Sequence, residues 1–209
     1  GAGNMLGAEQ SGFIADIGFE TYNRILNEAI SELKETEYPE LFAPREPAEQ
    51  QGHEVFVEDC QIDTDLELLF PDEYISNVSE RMSLYRELDQ IQREEDLTRF
   101  ESDLTNRFGP LPGPSLELLE VVRLRWLANR LGFEKMVLKN GKMIGYFVSN
   151  QDAAFYKSKT FSNILGFVQK QPARFRMKEA NNKLTLTCEP ILSVRPACDL
   201  LQSLCQHEI

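Results

Sequence analysis

Positive charge is what this sequence is short of. Its 209 residues hold 22 lysines and arginines against 34 aspartates and glutamates, a formal net charge of −12 at pH 7. Non-specific nucleic-acid binding draws most of its affinity from cations that displace counterions from phosphates, so a body this acidic binds DNA poorly by itself. It is better suited to a basic protein surface, where complementary charge steers association and fixes register; the same excess acid also serves solubility. Cysteine is scarce. Cys60, Cys188, Cys198 and Cys205 are scattered, which reads as reduced, buried thiols and not as a disulfide scaffold. Cys198 and Cys205 stand seven apart on an expected helix and share its core side. The two histidines, His53 and His207, have no cysteine at zinc-ligand spacing, so no metal site is expected. No apolar run approaches the roughly 18–20 residues of a membrane helix. The polar, glycine-rich start does not resemble a signal peptide, and the expected location is the cytoplasm.

Catalytic signatures are missing too. There is no Gly-x-x-x-x-Gly-Lys-Ser/Thr to cradle phosphates. Ser11 and Ser193 lack the strand–turn–helix elbow and a neighbouring histidine. The carboxylate pairs Asp63 with Asp65 and Asp72 with Glu73 lie in segments that read as exposed, where solvated charge is the ordinary explanation. Trp126, at helical spacing, reads as core.

What is present is an orderly α+β pattern. Phe19, Tyr22, Ile25, Leu26, Ala29, Ile30 and Leu33 form one apolar stripe, predicting a helix over about 18–35. Pro39, Pro44 and Pro47 then keep the chain extended up to Gly52, which predicts a linker over 37–52 and a boundary there. Residues 54–67 alternate weakly and suggest a strand. Asn77-Val-Ser-Glu80 has the form of a capping box before a helix whose expected core face is Met82, Tyr85, Leu88 and Ile91. A second helix, 96–108, should bury Leu97, Phe100, Leu104 and Phe108. A third, 115–131, is apolar nearly all round and reads as the central element. Two hairpins follow, one across Asn140-Gly141 and one across the four residues Glu179-Ala-Asn-Asn182, with Phe175 and Met177 facing Leu184 and Leu186. A short helix over 161–171 and a closing helix over 193–207 complete the reading. The expected fold is a helical half of three main helices packed with a small antiparallel sheet of two hairpins and the closing helix, preceded by a loop–helix segment.

Two sets of motifs carry a resemblance. Gly1-Ala2-Gly3-Asn4 followed by Leu6-Gly7-x-x-Gln10-Ser11-Gly12 resembles the loop after the last helicase motif in two related groups of DNA translocase. These are the branch-migrating RecG helicases and the bacterial transcription-repair coupling factors (Mfd). Pro71-Asp-Glu-Tyr-Ile75, Arg81-Met-Ser-Leu-Tyr85-Arg86 and Leu104-Thr-Asn-Arg107-Phe-Gly-Pro-Leu-Pro112 occur in the order found in the C-terminal domain of the coupling factors, and RecG shares only the loop. The resemblance assigns 1–36 to the end of a motor domain, 37–52 to the linker and 53–209 to a C-terminal regulatory domain.

It implies a parent protein that uses ATP and Mg in its motor to displace stalled RNA polymerase from DNA and then recruits the excision-repair protein UvrA. The C-terminal domain is then not catalytic and carries no cofactor. It folds back on a UvrB-like N-terminal module of the same chain, hides the UvrA-binding surface and restrains the motor. Gly1, Gly3, Asn4, Gly7, Gln10, Ser11 and Gly12 would form the motor-coupling loop. The Gln10 amide, donor and acceptor at once, would read motor state. For the clamp, the family places acids just before Arg-Phe-Gly. Asp103 matches one, and Asn106 stands where aspartate is common, which weakens that contact. Glu101 could share the load, and Arg107 is expected to brace the Gly109 turn. Two other readings stand beside this one. One is a free-standing acidic adaptor. The other is a DNA-binding accessory using Lys135, Lys139, Lys142, Lys157, Lys159, Lys170, Arg174, Arg176 and Lys178.

Overall fold

The computed structural model describes residues 56–149 and 154–206. The glycine loop, the expected helix at 18–35, the linker, His53 and His207 lie outside the described residues. Backbone contacts divide the chain into two compact units, with one boundary at Ser115/Leu116. Residues 68–115 belong to the first unit; residues 56–67 and 116–206 belong to the second.

The first unit is built on helices α1 (Val78–Gln90) and α2 (Glu94–Phe108). Asn77 caps α1 as its sequence predicts, its side chain accepting from the Glu80 N–H at 3.0 Å. The reciprocal half of the box is not made, because the Glu80 carboxylate is taken by Arg107. The buried stripe of α1 is Arg81, Leu84, Tyr85 and Leu88, and Met82 and Ile91 are only half-buried. The expected stripe was displaced because an arginine occupies a core position. Arg81 is 3% exposed, and its guanidinium donates to the Ile75 carbonyl at 2.7 Å, which satisfies it inside. α2 starts two residues earlier than its apolar pattern indicates. Glu94, Glu95 and Asp96 fill its first turn, where the helix dipole favours acid. Leu97, Phe100 and Leu104 are buried, while Phe108 is half-buried beneath the Arg107 guanidinium, 4.8 Å from the ring centre.

The second unit is a five-stranded sheet with helices. Its elements are β1 (Gln61–Thr64), α3 (Gly113–Arg130, from Leu116), β2 (Phe133–Lys139), β3 (Lys142–Phe147), a 3-10 turn (Ala154–Lys157), α4 (Lys159–Gln169), β4 (Phe175–Ala180), β5 (Lys183–Cys188) and α5 (Val194–Gln206). The order across the sheet is β1-β2-β3-β5-β4. β1 runs parallel to β2 and the other pairs are antiparallel, so the sheet is mixed, not two antiparallel hairpins alone. The expected strand at 54–67 shrinks to four residues. Asn129 accepts from the Cys60 N–H at 2.7 Å and donates to the Glu58 carbonyl at 3.2 Å, tying 58–60 to α3 before pairing begins.

Both hairpins close in two residues with positive φ, Asn140-Gly141 (53° and 70°) and Asn181-Asn182 (53° and 58°). This is the twist-matched turn geometry, which asparagine tolerates better than other side-chain-bearing residues. The second turn is therefore two residues shorter than expected. Met177 pairs with Leu186, but Phe175 pairs with Cys188 and Leu184 with Glu179. Trp126 is half-buried, while Leu118, Leu119, Val121, Leu124 and Ala128 form the buried side of α3. α5 buries Val194, Ala197, Cys198, Leu201 and Leu204, and the Glu117 carboxylate accepts from the Val194 N–H at its start (2.8 Å). Among the described residues no helix is long and apolar enough to cross a membrane.

Candidate functional site

The three motifs at 71–75, 81–86 and 104–112 meet in the first unit as one hydrogen-bonded framework under α2. The Tyr74 hydroxyl donates to the Gly109 carbonyl at 2.8 Å, with the Leu104 carbonyl at 3.3 Å, and its ring lies 5.8 Å from that of Phe108. Arg81 holds the Ile75 carbonyl. The Tyr85 hydroxyl accepts from the buried Phe70 N–H at 2.8 Å, with the two rings stacked at 4.9 Å. Burial raises the Tyr85 hydroxyl pKa, opposed by the Phe70 N–H and by Arg81. Tyr85→Phe strands the Phe70 N–H without an acceptor, and a buried unmade bond costs about 1–3 kcal/mol. The denaturation midpoint of the first unit should fall accordingly; an unchanged midpoint would mean the bond contributes nothing.

This framework fixes which side of α2 meets solvent. With Leu97, Phe100 and Leu104 facing inward, Asp103 and Asn106 are exposed. Arg99, four residues before Asp103, and Arg107, four after, share its side of the helix. Both guanidiniums have other partners. Arg99 reaches Asp96 at 3.5 Å, Asp96 also pairs with Arg93 at 2.8 Å, and Arg107 pairs with Glu80. Asp103 is thus presented outward between two cations that are engaged elsewhere. Glu101 is half-buried, and residues two apart on a helix do not face each other. The fold therefore gathers Asp103, Asn106 and Arg107 on one side and leaves Glu101 off it.

Arg107 does not brace the Gly109 turn. That role falls to Tyr74, because the Arg107 side chain runs over Phe108 to Glu80. Residue-by-residue reading missed Tyr74, Glu80 and Arg81 as supports, although two of them lay within the motifs that carried the resemblance. The motor-coupling residues Gly1, Gly3, Asn4, Gly7, Gln10, Ser11 and Gly12 lie outside the described residues.

Among the described residues of the second unit, the titratable groups suggest no chemistry. Cys60, Cys188, Cys198 and Cys205 are free thiols. Burial pushes the Cys198 thiol up to about 12, helped by the charge of Glu120, and burial also raises Cys188 and Cys205. Neutral thiols are poor nucleophiles and poor metal ligands. Among the described residues no group of three or more His, Cys, Asp or Glu could hold a metal ion. Of the carboxylates noted in sequence, the two in this unit have structural partners. Asp63 pairs with Lys139 at 2.8 Å, and Asp65 accepts from the Asn140 N–H at 2.9 Å. Glu189 pairs with Lys142 at 2.9 Å and Arg176 at 3.7 Å, and the Lys142 hydrogen bond holds its carboxyl below the usual range.

Comparison with known proteins converges on one group. The family model for the TRCF domain matches residues 64–158. The transcription-repair-coupling factor of Escherichia coli (strain K12) is 32% identical over 178 residues, 85% of this chain and 14% of that protein. The Haemophilus influenzae factor is 31% identical over 176 residues, 84% of this chain and 14% of its own length. The chain thus spans about 14% of the length of the curated relatives it matches. Among solved structures, the crystal structure of a C-terminal domain of transcription-repair coupling factor matches with a TM-score of 0.58. The identity is 16%, over 72% of this chain and 95% of that one, which supports the α+β fold.

Proposed function

The chain belongs, through the TRCF domain at residues 64–158, to the transcription-repair-coupling factor family, and we propose that it is the C-terminal part of such a factor, acting as an autoinhibitory clamp. On this reading 1–36 ends the motor, 37–52 is the linker and 53–209 is the regulatory domain. The parent is an ATP-dependent translocase that works on DNA, displaces stalled RNA polymerase and hands the site to UvrA. The clamp itself catalyses nothing. It covers the UvrA-binding surface of the UvrB-like module in the same chain.

One observation carries the proposal: Asp103 is exposed on a helix face held by Tyr74, Arg81 and Tyr85. A carboxylate presented on a braced surface suits pairing with a basic partner. Exposed ion pairs contribute only about 0–1 kcal/mol each, so a few of them make a latch that a competing ligand opens. Such a ligand shifts the balance by the difference in its affinity for the open and closed forms. Tethering supplies the rest, because a linked partner is present at millimolar effective concentration.

Calorimetry of the 209-residue chain with the isolated UvrB-like module, at low and moderate salt, tests this. Salt-sensitive binding that Asp103→Lys weakens and UvrA competes away is the expected result. Binding that ignores both the substitution and UvrA would remove the clamp from this face and favour an adaptor with another partner.

A further inference from the structure

The charge of the chain is unevenly spread. Residues 116–209 hold fourteen of the 22 lysines and arginines and eight of the 34 acids, while residues 53–67 of the same unit add six acids and no cation, so the second unit is neutral overall in a chain of −12; residues 35–134 contain no lysine. The sheet of the second unit gathers part of that positive charge on one face. Phe133, Met136, Leu138, Met143, Phe147, Leu186 and Cys188 are buried on the other face, and strand alternation turns their neighbours outward.

Two cross-strand rows define the outward face. In one, Lys135 pairs with Tyr146, Tyr146 with Thr185 and Thr185 with Lys178. In the next, Asp63 pairs with Val137, Val137 with Ile144, Ile144 with Thr187 and Thr187 with Arg176, and the Asp63 carboxylate at the β1 margin is taken by Lys139 at 2.8 Å. Val137, Ile144 and Tyr146 at the centre are half-buried, and Arg176 and Lys178 at the margin are exposed. Among the described residues, Lys135 and Lys178 have no ion-pair partner, unlike Lys139, Lys142 and Arg176.

We propose that this outward sheet face is a docking surface for an acidic protein segment that carries alternating apolar side chains. Each half of that chemistry answers a feature of the face. Carboxylates meet the flanking cations, and apolar groups cover Val137, Ile144 and the ring of Tyr146. Complementary charge sets the register across the strands.

Other occupants fit less well. Single-stranded nucleic acid binds through successive aromatic platforms in a positive groove, and this face has one ring, Tyr146. A second copy meeting face to face about a two-fold axis would bring Lys135, Lys178 and Arg176 against the same cations, and like charges across an interface are costly. Addition of a strand at the β4 edge is discouraged by Arg176 and Lys178. The surface lies on the second unit and does not involve Asp103, so it stands or falls independently of the clamp.

The test titrates the isotope-labelled 209-residue chain with three probes. They are a short peptide alternating glutamate and leucine, its lysine–leucine counterpart, and oligothymidylate. The glutamate peptide should shift amides of β2, β3 and β5 that include Val137, Ile144 and Thr187. Binding should weaken at physiological salt, where the screening length is about 8 Å. Lys135→Glu with Lys178→Glu should lower its affinity roughly tenfold, as reversal of two exposed pairs would. The spectrum of that variant also reports that the fold is intact. The lysine peptide should shift nothing. Absence of shifts at low salt, shifts confined to other elements, tighter binding of oligothymidylate to the same residues, or self-association on this face would each overturn the proposal.

Discussion

If the proposed clamp closes on Asp103, a full-length parent carrying Asp103→Lys should hydrolyse ATP several-fold faster in the absence of DNA and bind UvrA more tightly, by roughly three- to tenfold. The magnitude follows from the exposure of the site. A single solvent-facing ion pair contributes at most about 1 kcal/mol. Reversing its sign also adds repulsion, so the closed state loses about 1.4 kcal/mol at most, a factor of ten in a two-state balance. Because Asp103 is exposed between Arg99 and Arg107, a lysine there also sits beside like charge on its own helix. The neighbours sharpen the test. Glu101→Lys should do less, since it lies off that side of α2. Asn106→Asp should do the opposite and lower basal turnover, by adding an acid where this chain has an amide. Unchanged ATPase and unchanged UvrA affinity in Asp103→Lys would sink the assignment of this face, whatever the fate of the family relationship.

The elements readable in the sequence are those that local rules decide. Asn140-Gly141 announced its hairpin because both residues accept positive φ, and Asn77 announced a cap because its side chain can replace a missing helical acceptor. Elements that depend on a distant partner were not legible. The short β1 strand is set by Asn129, some 70 residues further on. The core stripe of α1 contains Arg81, which apolar periodicity cannot select. Asn181-Asn182 was readable in principle, yet neighbouring Glu179 and Ala180 look equally loop-like until the pairing is known.

At the candidate site, the resemblance pointed to α2 and to Asp103. Which side each residue faces depends on burial, and burial separated Glu101 from Asp103. Arg107 shows the same limit. Its spacing to Gly109 suggested a brace, but only the fold reveals Glu80 as the nearer partner and Tyr74 as the brace.

The largest loss of stability is expected from Gly132→Ala, and two sibling substitutions show why. Gly132 ends α3 at φ +74°, a conformation an L side chain adopts at a cost of roughly 1–2 kcal/mol. A Cβ there would also lie 2.5 Å from the Phe155 ring. That ring is 1% exposed and packed against Phe147 at 5.6 Å and Phe161 at 5.3 Å, so it cannot swing aside alone. Overpacking of this kind costs about 1–3 kcal/mol, and the two penalties together reach about 2–5 kcal/mol. Gly141→Ala isolates the backbone penalty. Its φ is +70°, but the nearest atom to a new Cβ is Leu192 Cδ2 at 3.2 Å, on a side chain that is 77% exposed and free to move. Gly145→Ala isolates the crowding, since its Cβ would meet the Phe133 ring at 2.3 Å, and that ring is stacked on Phe147 at 4.4 Å. All three lie in the second unit with Trp126, whose half-buried indole supplies a common fluorescence signal for urea unfolding. Gly132→Ala should lower the midpoint more than either sibling. Equal midpoints for Gly132→Ala and Gly141→Ala would mean that Phe155 yields to the new methyl, and that the aromatic cluster of Phe133, Phe147, Phe155 and Phe161 is softer than its packing implies.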